Sequence, residues 1–451
     1  MRKTILESYS QVIFYTLIVI LIGTTGWFSG HRIYSLFSYN MLLKTILLFI
    51  FLKSFIYKIN TNSVLRLFCF IVVLLLIARL FVIYRFSLSG EPMAFDGIAR
   101  FELVLKILAR SLINISTIFL IYLIINKNFG YLYIILTIFV VAFIFMFFEH
   151  PITPFTKATL KLKQEYFAKN MLDKDLLTFE KQIDKIDTIS VYRVSGPYQN
   201  GSGANYFMIS GLILATYVYI KRKNTLFLCI FIFFTLTSIL SLTRSLMFAN
   251  IFLIIYILYF QIKNRKIRHL IILGSFLFLV IVIYYNNRDI INSLSRLVNY
   301  SDSSASGRLP KIISGILLIF QHPFGASSSD YDSNQFYIAD ILNNRDGIGS
   351  SHNGFLNLGR DFGIFGIFFF LYFMLRMIQL SKILNSQLKI FFCFSFIAYI
   401  THTSFHNGFI FFNDYFIILI LSIFALEYKN ANLKASTTEN MTTIDSLRSQ
   451  A

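Results

Sequence analysis

The feature that most constrains this chain is the recurrence of long apolar runs separated by short polar connections. Each run is about as long as the helix needed to cross a hydrocarbon core of roughly 30 Å. The runs predict spans at 11–29, 36–57, 64–86, 103–126, 130–149, 205–221, 224–242, 244–262, 269–286, 354–377, 388–403 and 406–427. With 56% hydrophobic and 14% charged residues in 451, the chain carries more apolar side chain than one soluble core can hide. The expected fold class is all-α, a polytopic transmembrane bundle of about 12 spans. It forms one domain over 1–430 with large loops at 150–204 and 287–353, followed by a disordered polar tail over 431–451.

Orientation follows from charge. Connections on one side carry Lys58, Lys127, Lys221-Arg222-Lys223, Lys263 to Arg268, and then Arg376, Lys382 and Lys389. The positive-inside rule makes that side cytoplasmic, with both termini, and the two long loops then face outward. The same distribution accounts for much of the net charge of +19, because Lys and Arg are spread among loops and form no single basic face for nucleic acid. Cys69, Cys229 and Cys393 all lie in apolar runs, where they read as small buried hydrophobes and offer no disulfide framework. Met1-Arg2-Lys3 precedes a polar stretch and an apolar run from Gln11, which predicts a retained first span and not a cleaved leader.

Within the second loop, Arg308 to Phe320 (RLPKIISGILLIF) is too short to span and reads as a surface helix roofing the bundle. Gly307 and Pro310 open it and His322-Pro323-Phe324-Gly325 closes it.

The residues able to carry chemistry collect on the outward side. His352 and Asn353 open the tenth span, which continues Gly359-Arg360-Asp361-Phe362-Gly363 to Gly366. Gly363 and Gly366 would let a neighbouring helix approach closely. A lone His at a helix start is ordinarily an interfacial cap, and a lone Arg at a boundary ordinarily snorkels to headgroups. Several coincide here: Arg193 in a turn-rich segment leading to Asn205, Arg244 in the tight turn Ser241 to Ser245, and Arg308 at the start of the roof helix. Lys44, Arg79, Lys106 and Arg110 lie in outward halves of spans, where snorkelling explains those near the ends; Arg110 is deep enough to want an anionic partner, and Arg360-Asp361 form an ionisable pair below the surface. Six of the seven histidines, all but His269, map outward. Guanidinium groups grip phosphate oxygens bidentately, and an imidazole suits general-base work near neutrality. Together they fit transfer from a diphosphate leaving group. No DxD-like or paired-carboxylate site, Walker A sequence or zinc spacing occurs near these residues, so neither cofactor nor metal is expected.

At motif level over about residues 190–380, and in topology throughout, the chain resembles the O-antigen polymerase and O-antigen ligase superfamily of integral-membrane glycosyltransferases. The His-Asn pair before a helix with two spaced glycines is similar to His352, Asn353, Gly363 and Gly366. The Ser-Arg turn resembles Thr243-Arg244-Ser245, and the Gly-Arg before an amphipathic helix resembles Gly307-Arg308. The Pro-x-Gly resembles Pro323-Phe324-Gly325, and the Arg-led turn ending in Asn resembles Arg193 through Asn205. The family's acidic residue falls here at Asp361, directly after Arg360, and the Arg193 segment is longer than the pattern.

The resemblance implies a GT-C-like bundle with short surface helices in the outer loops. It implies metal-independent transfer of glycan from undecaprenyl diphosphate on the periplasmic face of the bacterial inner membrane. In that reading His352, Arg244 and Arg308 are catalytic. Arg193, Asn205, Asn353, Arg110 and Arg360 bind the diphosphate or glycan. The partners are the lipid-linked oligosaccharide, the bilayer and a chain-length regulator of the polysaccharide co-polymerase type. A polymerase is favoured over a ligase acting on lipid A core, because the long segment 150–204 suits a variable repeat unit. A lipid-linked oligosaccharide flippase is the rival of another class, and would place its charges near the midplane with repeat symmetry.

Overall fold

The structure is a computed structural model. It describes residues 2–24, 32–34, 37–88, 100–150, 153–168, 194–198, 201–241, 243–262, 308–326, 353–404 and 415–448, with isolated positions between 264 and 277.

Apolar runs become helices wherever they are described. In chain order these are α1 (Arg2–Gly23), α2 (Tyr39–Ile50), α3 (Leu52–Thr61), α4 (Ser63–Leu88), α5 (Arg100–Lys127), α6 (Gly130–Glu149) and α7 (Thr156–Ala168). They continue with α8 (Gly201–Arg222), α9 (Thr225–Leu240), α10 (Arg244–Ile255), α11 (Arg308–Gln321), α12 (Gly354–Leu380), α13 (Ser386–Ser404) and α14 (Tyr415–Arg448). A short antiparallel pair, β1 (Arg32–Tyr34) with β2 (Phe37–Ser38), precedes α2. By length and composition 5 helices among the described residues can cross a membrane: Ser63–Arg85, Ile107–Lys127, Gly130–Glu149, Gly354–Ile383 and Tyr415–Ala435. The chain is an all-α membrane protein.

Several expected spans are interrupted. The run 36–57 is two helices, α2 and α3, meeting at Phe51, whose φ of −96° and ψ of 16° leave the helical region. The run 244–262 ends in a π-helical turn over Tyr256–Gln261, and 354–377 is broken at Gly363. The run 269–286 and most of both long loops lie outside the described residues. The tail expected to be disordered from 431 instead continues α14 as helical backbone to Arg448. Propagating an existing helix through good formers such as Leu433, Lys434 and Ala435 needs no new nucleus.

Helices α8 and α14 are buried along almost their whole apolar lengths, and α5, α6, α10 and α13 pack around them. Tyr122, Tyr217, Tyr256 and Tyr399 are fully buried in this core. Phe49, Ile50, Phe81, Phe368, Leu371 and Leu375 are exposed, as expected where lipid and not water is the solvent. The two ends of the bundle differ. At the end opposite the long loops, Lys221 pairs with Glu427 at 2.6 Å and Tyr217 hydrogen-bonds the same carboxylate. There too Lys429 reaches Asn126 at 2.8 Å, and Gln387 reaches Gln261 at 2.7 Å. The other end, where α6, α9 and α13 finish and α8, α10, α12 and α14 begin, carries the motif residues and is called the loop end below.

Candidate functional site at the loop end

Three helix N-termini carry the motifs. Helix α10 starts at Arg244, whose preceding residue Thr243 is the cap and has no side-chain capping bond. Helix α11 starts at Arg308, with Pro310 in its first turn, where the missing N–H is harmless. Helix α12 starts after Asn353, whose side chain accepts from Phe355 N at 2.9 Å and Leu356 N at 3.2 Å. Asn353 is thus a true N-cap, and position 352 is the last residue before it. His352 and Arg193 themselves lie outside the described residues.

The break in α12 is the best-defined part of the site. Gly363 has φ 65° and ψ −161°, a combination that is essentially glycine-only. Breaking a helix orphans backbone groups, and each must find a partner when water is excluded. The turn after α11 supplies two: Ile364 N donates to Pro323 O at 2.7 Å, and Ala326 N donates to Arg360 O at 3.0 Å. Arg79 of α4 supplies a third, its guanidinium donating to Asp361 O at 2.6 Å. The Pro323-Phe324-Gly325 motif therefore docks into the break. The close approach expected at Gly363 is real, but the partner is this turn and not a neighbouring helix. A Cβ on Gly363 would lie 2.7 Å from Gly325 N, while the roof helix packs by Gly315 against Leu356. Gly363→Ala is accordingly expected to destabilise the protein by at least about 1–3 kcal/mol from backbone strain alone. A lowered thermal midpoint in detergent would report it.

Asp361 is the hub of the charges here. Arg360 Nε donates to Asp361 Oδ1 at 2.9 Å, and Arg79 approaches the same oxygen at 3.6 Å. Arg110 of α5 is within electrostatic reach of the same carboxylate. Arg79 and Lys44 do not snorkel. Both side chains are buried, because Arg79 is held by the α12 break and Lys44 lies inside the bundle. Among the described residues, the guanidinium groups of Arg79, Arg110 and Arg360 thus gather at the Asp361 carboxylate.

A second buried ionic network closes the first long segment. Glu149, the last residue of α6, and Lys163 of α7 are both inaccessible and pair at 2.9 Å. Ser195 N donates to Glu149 Oε2 at 3.1 Å, and Gly196 N donates to the same oxygen. Lys163 Nζ also donates to Ser195 Oγ. Burial pulls the Lys163 ammonium below the usual lysine range against the pull of Glu149. Next to it, burial pushes His150 down from 6.5 to about 4 despite a hydrogen bond with the Leu240 backbone, so this imidazole is neutral at physiological pH. Sequence reasoning passed over Glu149 and Lys163; the available signal was a carboxylate ending an otherwise apolar run.

Asn205 lies in the first turn of α8 and is buried. The structure thus brings Arg110 and Arg360 together with Arg79 and Asp361, places Asn353 as a cap on the same helix as Arg360, and places Asn205 on α8. It fixes the backbone of Arg244 and Arg308 at helix starts. Among the described residues no three His, Cys, Asp or Glu side chains gather as a metal site requires.

Residues 227–371 match the family model described as O-antigen ligase. No curated protein and no solved structure matches the chain. The matched segment runs from α9 through the break in α12.

Proposed function

We propose, for a chain that through residues 227–371 belongs to the O-antigen polymerase and ligase superfamily, that it polymerises undecaprenyl-diphosphate-linked oligosaccharide repeat units into O-antigen or capsular polysaccharide. The loop end faces the periplasm in this reading, both termini are cytoplasmic, and the bundle 1–430 acts as one domain in the inner membrane. The observation that carries it is the gathering of the Arg79, Arg110 and Arg360 guanidinium groups at Asp361, beside the break in α12 and on the helix that Asn353 caps.

In the reaction, an acceptor sugar hydroxyl attacks the anomeric carbon of the donor glycan. The bond from that carbon to the diphosphate oxygen breaks, and undecaprenyl diphosphate leaves with the electron pair. His352 takes the hydroxyl proton. Arg244 and Arg308, each opening a helix whose N-terminal dipole also favours an anion, stabilise the charge growing on the leaving group. Arg193, Arg110 and Arg360 hold the diphosphate, and Asn205 and Asn353 contact glycan. The structure adds a qualification for Asn353, whose Oδ1 is already occupied by two backbone donors. Fixed guanidinium groups in a poorly hydrated pocket need no reorganisation as charge develops.

Losing one such donor costs about 3 kcal/mol, on the order of a hundredfold in rate. Arg244→Ala is therefore expected to be impaired more than Arg244→Lys in single-turnover transfer. Equal rates would mean that Arg244 only anchors headgroups.

The family description favours one second reading, ligation of polymer to lipid A core. Glycan display by gel in a strain lacking the gene separates the two. A core bearing a single repeat unit supports polymerisation, and a bare core with accumulated lipid-linked polymer supports ligation. Accumulation of unflipped cytoplasmic units would overturn both in favour of transport. A polysaccharide co-polymerase as chain-length regulator belongs to the polymerase reading alone.

A further inference from the structure

The roof helix α11 and the first stretch of α12, up to the break at Gly363, run side by side in the same direction. Their contacts advance together along both segments: Gly315 meets Leu356, Ile319 meets Gly359, and the Pro323 turn meets Gly363 and Ile364. An antiparallel pair would match rising residue numbers with falling ones. The two helix starts, at Arg308 and after Asn353, therefore lie at the same end of one pair. Two glycines line the contact, and neither is one of the spaced glycines of the motif, Gly363 and Gly366. A Cβ on Gly315 would stand 3.0 Å from Leu356 Cδ1, the end of a flexible side chain. A Cβ on Gly359 would overlap Ile319 Cδ1 and stand 2.7 Å from Ile319 Cγ1.

Turning the end of Ile319 relieves the clash at Cδ1 and leaves the one at Cγ1. A β-branched residue in a helix keeps essentially one χ1 rotamer, so Cγ1 moves only with the α11 backbone. Restoring ordinary carbon–carbon contact takes a displacement of about 1 Å. The far end of α11 cannot follow, because Ile364 N donates to Pro323 O at 2.7 Å and Ala326 N to Arg360 O at 3.0 Å. The helix must then pivot on that turn. Ile319 lies about 6 Å along the axis from Pro323 and Arg308 about 22 Å, so a step of about 1 Å at Ile319 becomes about 3–4 Å at Arg308.

We propose that Gly359 is a positioning residue: the close approach it permits sets how far the Arg308 start of the roof helix stands from the Asn353 start of α12. The proposal rests on the glycan-transfer reading, in which Arg308 meets the leaving diphosphate while the residue before Asn353 meets the acceptor hydroxyl. Gly359 touches neither substrate. It acts through the spacing of two helices that must serve one reacting centre.

The test uses the full-length protein in detergent with Gly359→Ala, Ile319→Ala and the two combined. Ile319→Ala removes both colliding atoms, Cγ1 and Cδ1. In Gly359→Ala, kcat is expected to fall by about ten- to a hundredfold with the donor KM little changed, the upper end being outright loss of the Arg308 donor. Ile319→Ala alone is expected to keep close to the wild-type rate, and adding it to Gly359→Ala is expected to restore most of kcat. Gly315→Ala, where Leu356 can turn aside, is expected to stay within about threefold of wild type. Spacing is read directly by pulsed electron paramagnetic resonance between nitroxides on Leu309→Cys and Leu371→Cys, with Cys69, Cys229 and Cys393 replaced by alanine. Gly359→Ala is expected to shift that distance by a few ångström, in proportion to the lever about Pro323, and Ile319→Ala to reverse the shift. An unmoved distance, or a loss of kcat that Ile319→Ala does not repair, would overturn the proposal. So would a lowered thermal midpoint that persists in the double variant, which would make Gly359 a packing residue alone. A distance shift reversed by Ile319→Ala in a protein that transfers no glycan would keep the spacing role and sink the transfer reading.

Discussion

His352→Ala is expected to leave the protein in the membrane at wild-type amounts and to slow glycan transfer by at least about a hundredfold, the low end for a lost general base. The reason for expecting a functional loss without a folding loss is local. The start of α12 is secured by Asn353, whose side chain satisfies Phe355 N and Leu356 N, and those bonds make no use of residue 352. Cutting back the imidazole therefore keeps the cap, whereas Asn353→Ala removes it at about 1 kcal/mol. Immunoblotting of membrane fractions and transfer rates with extracted lipid-linked donor separate these effects. A full rate in His352→Ala sinks the assignment of a base, and a protein missing from the membrane would make position 352 structural.

What the sequence could show of this molecule was set by the range over which each feature is determined. Apolar runs are local, so the helices follow them, and α6 occupies 130–149, the expected span. The break in α12 is not local. Helical periodicity continues on both sides of Gly363, and the groups that make the break tolerable come from the Pro323 turn and from Arg79, which is 282 residues from Asp361 in the chain. A pair of adjacent charges, Arg360-Asp361, could be read as costly, but not that a third residue on α4 engages it. His352 and Arg193 were legible as motif residues, and they lie outside the described residues, next to the Asn353 cap and to the Ser195 and Gly196 backbone held by Glu149.

Removal of Glu149 is expected to be among the most damaging single changes to stability, and the pattern across a small variant set identifies the cause. Glu149→Ala leaves the buried Lys163 ammonium without its counter-ion, a loss of about 3–5 kcal/mol for a buried pair. Lys163→Met should cost less, because the carboxylate keeps Ser195 N, Gly196 N and Ser195 Oγ as donors. If the ion pair were the whole of the network, replacing both residues by apolar ones, Glu149→Leu with Lys163→Met, would restore stability, as it often does for buried pairs. Here it should not. The two backbone N–H groups of the returning segment would lose their acceptor, each at about 1–3 kcal/mol. Thermal midpoints in detergent should therefore fall in the order wild type, Lys163→Met, the double variant, Glu149→Ala. A double variant as stable as wild type would mean that the carboxylate serves the lysine alone. The expected order instead makes Glu149 the point at which the first long segment, leaving α6 and returning toward α8, is closed onto the bundle.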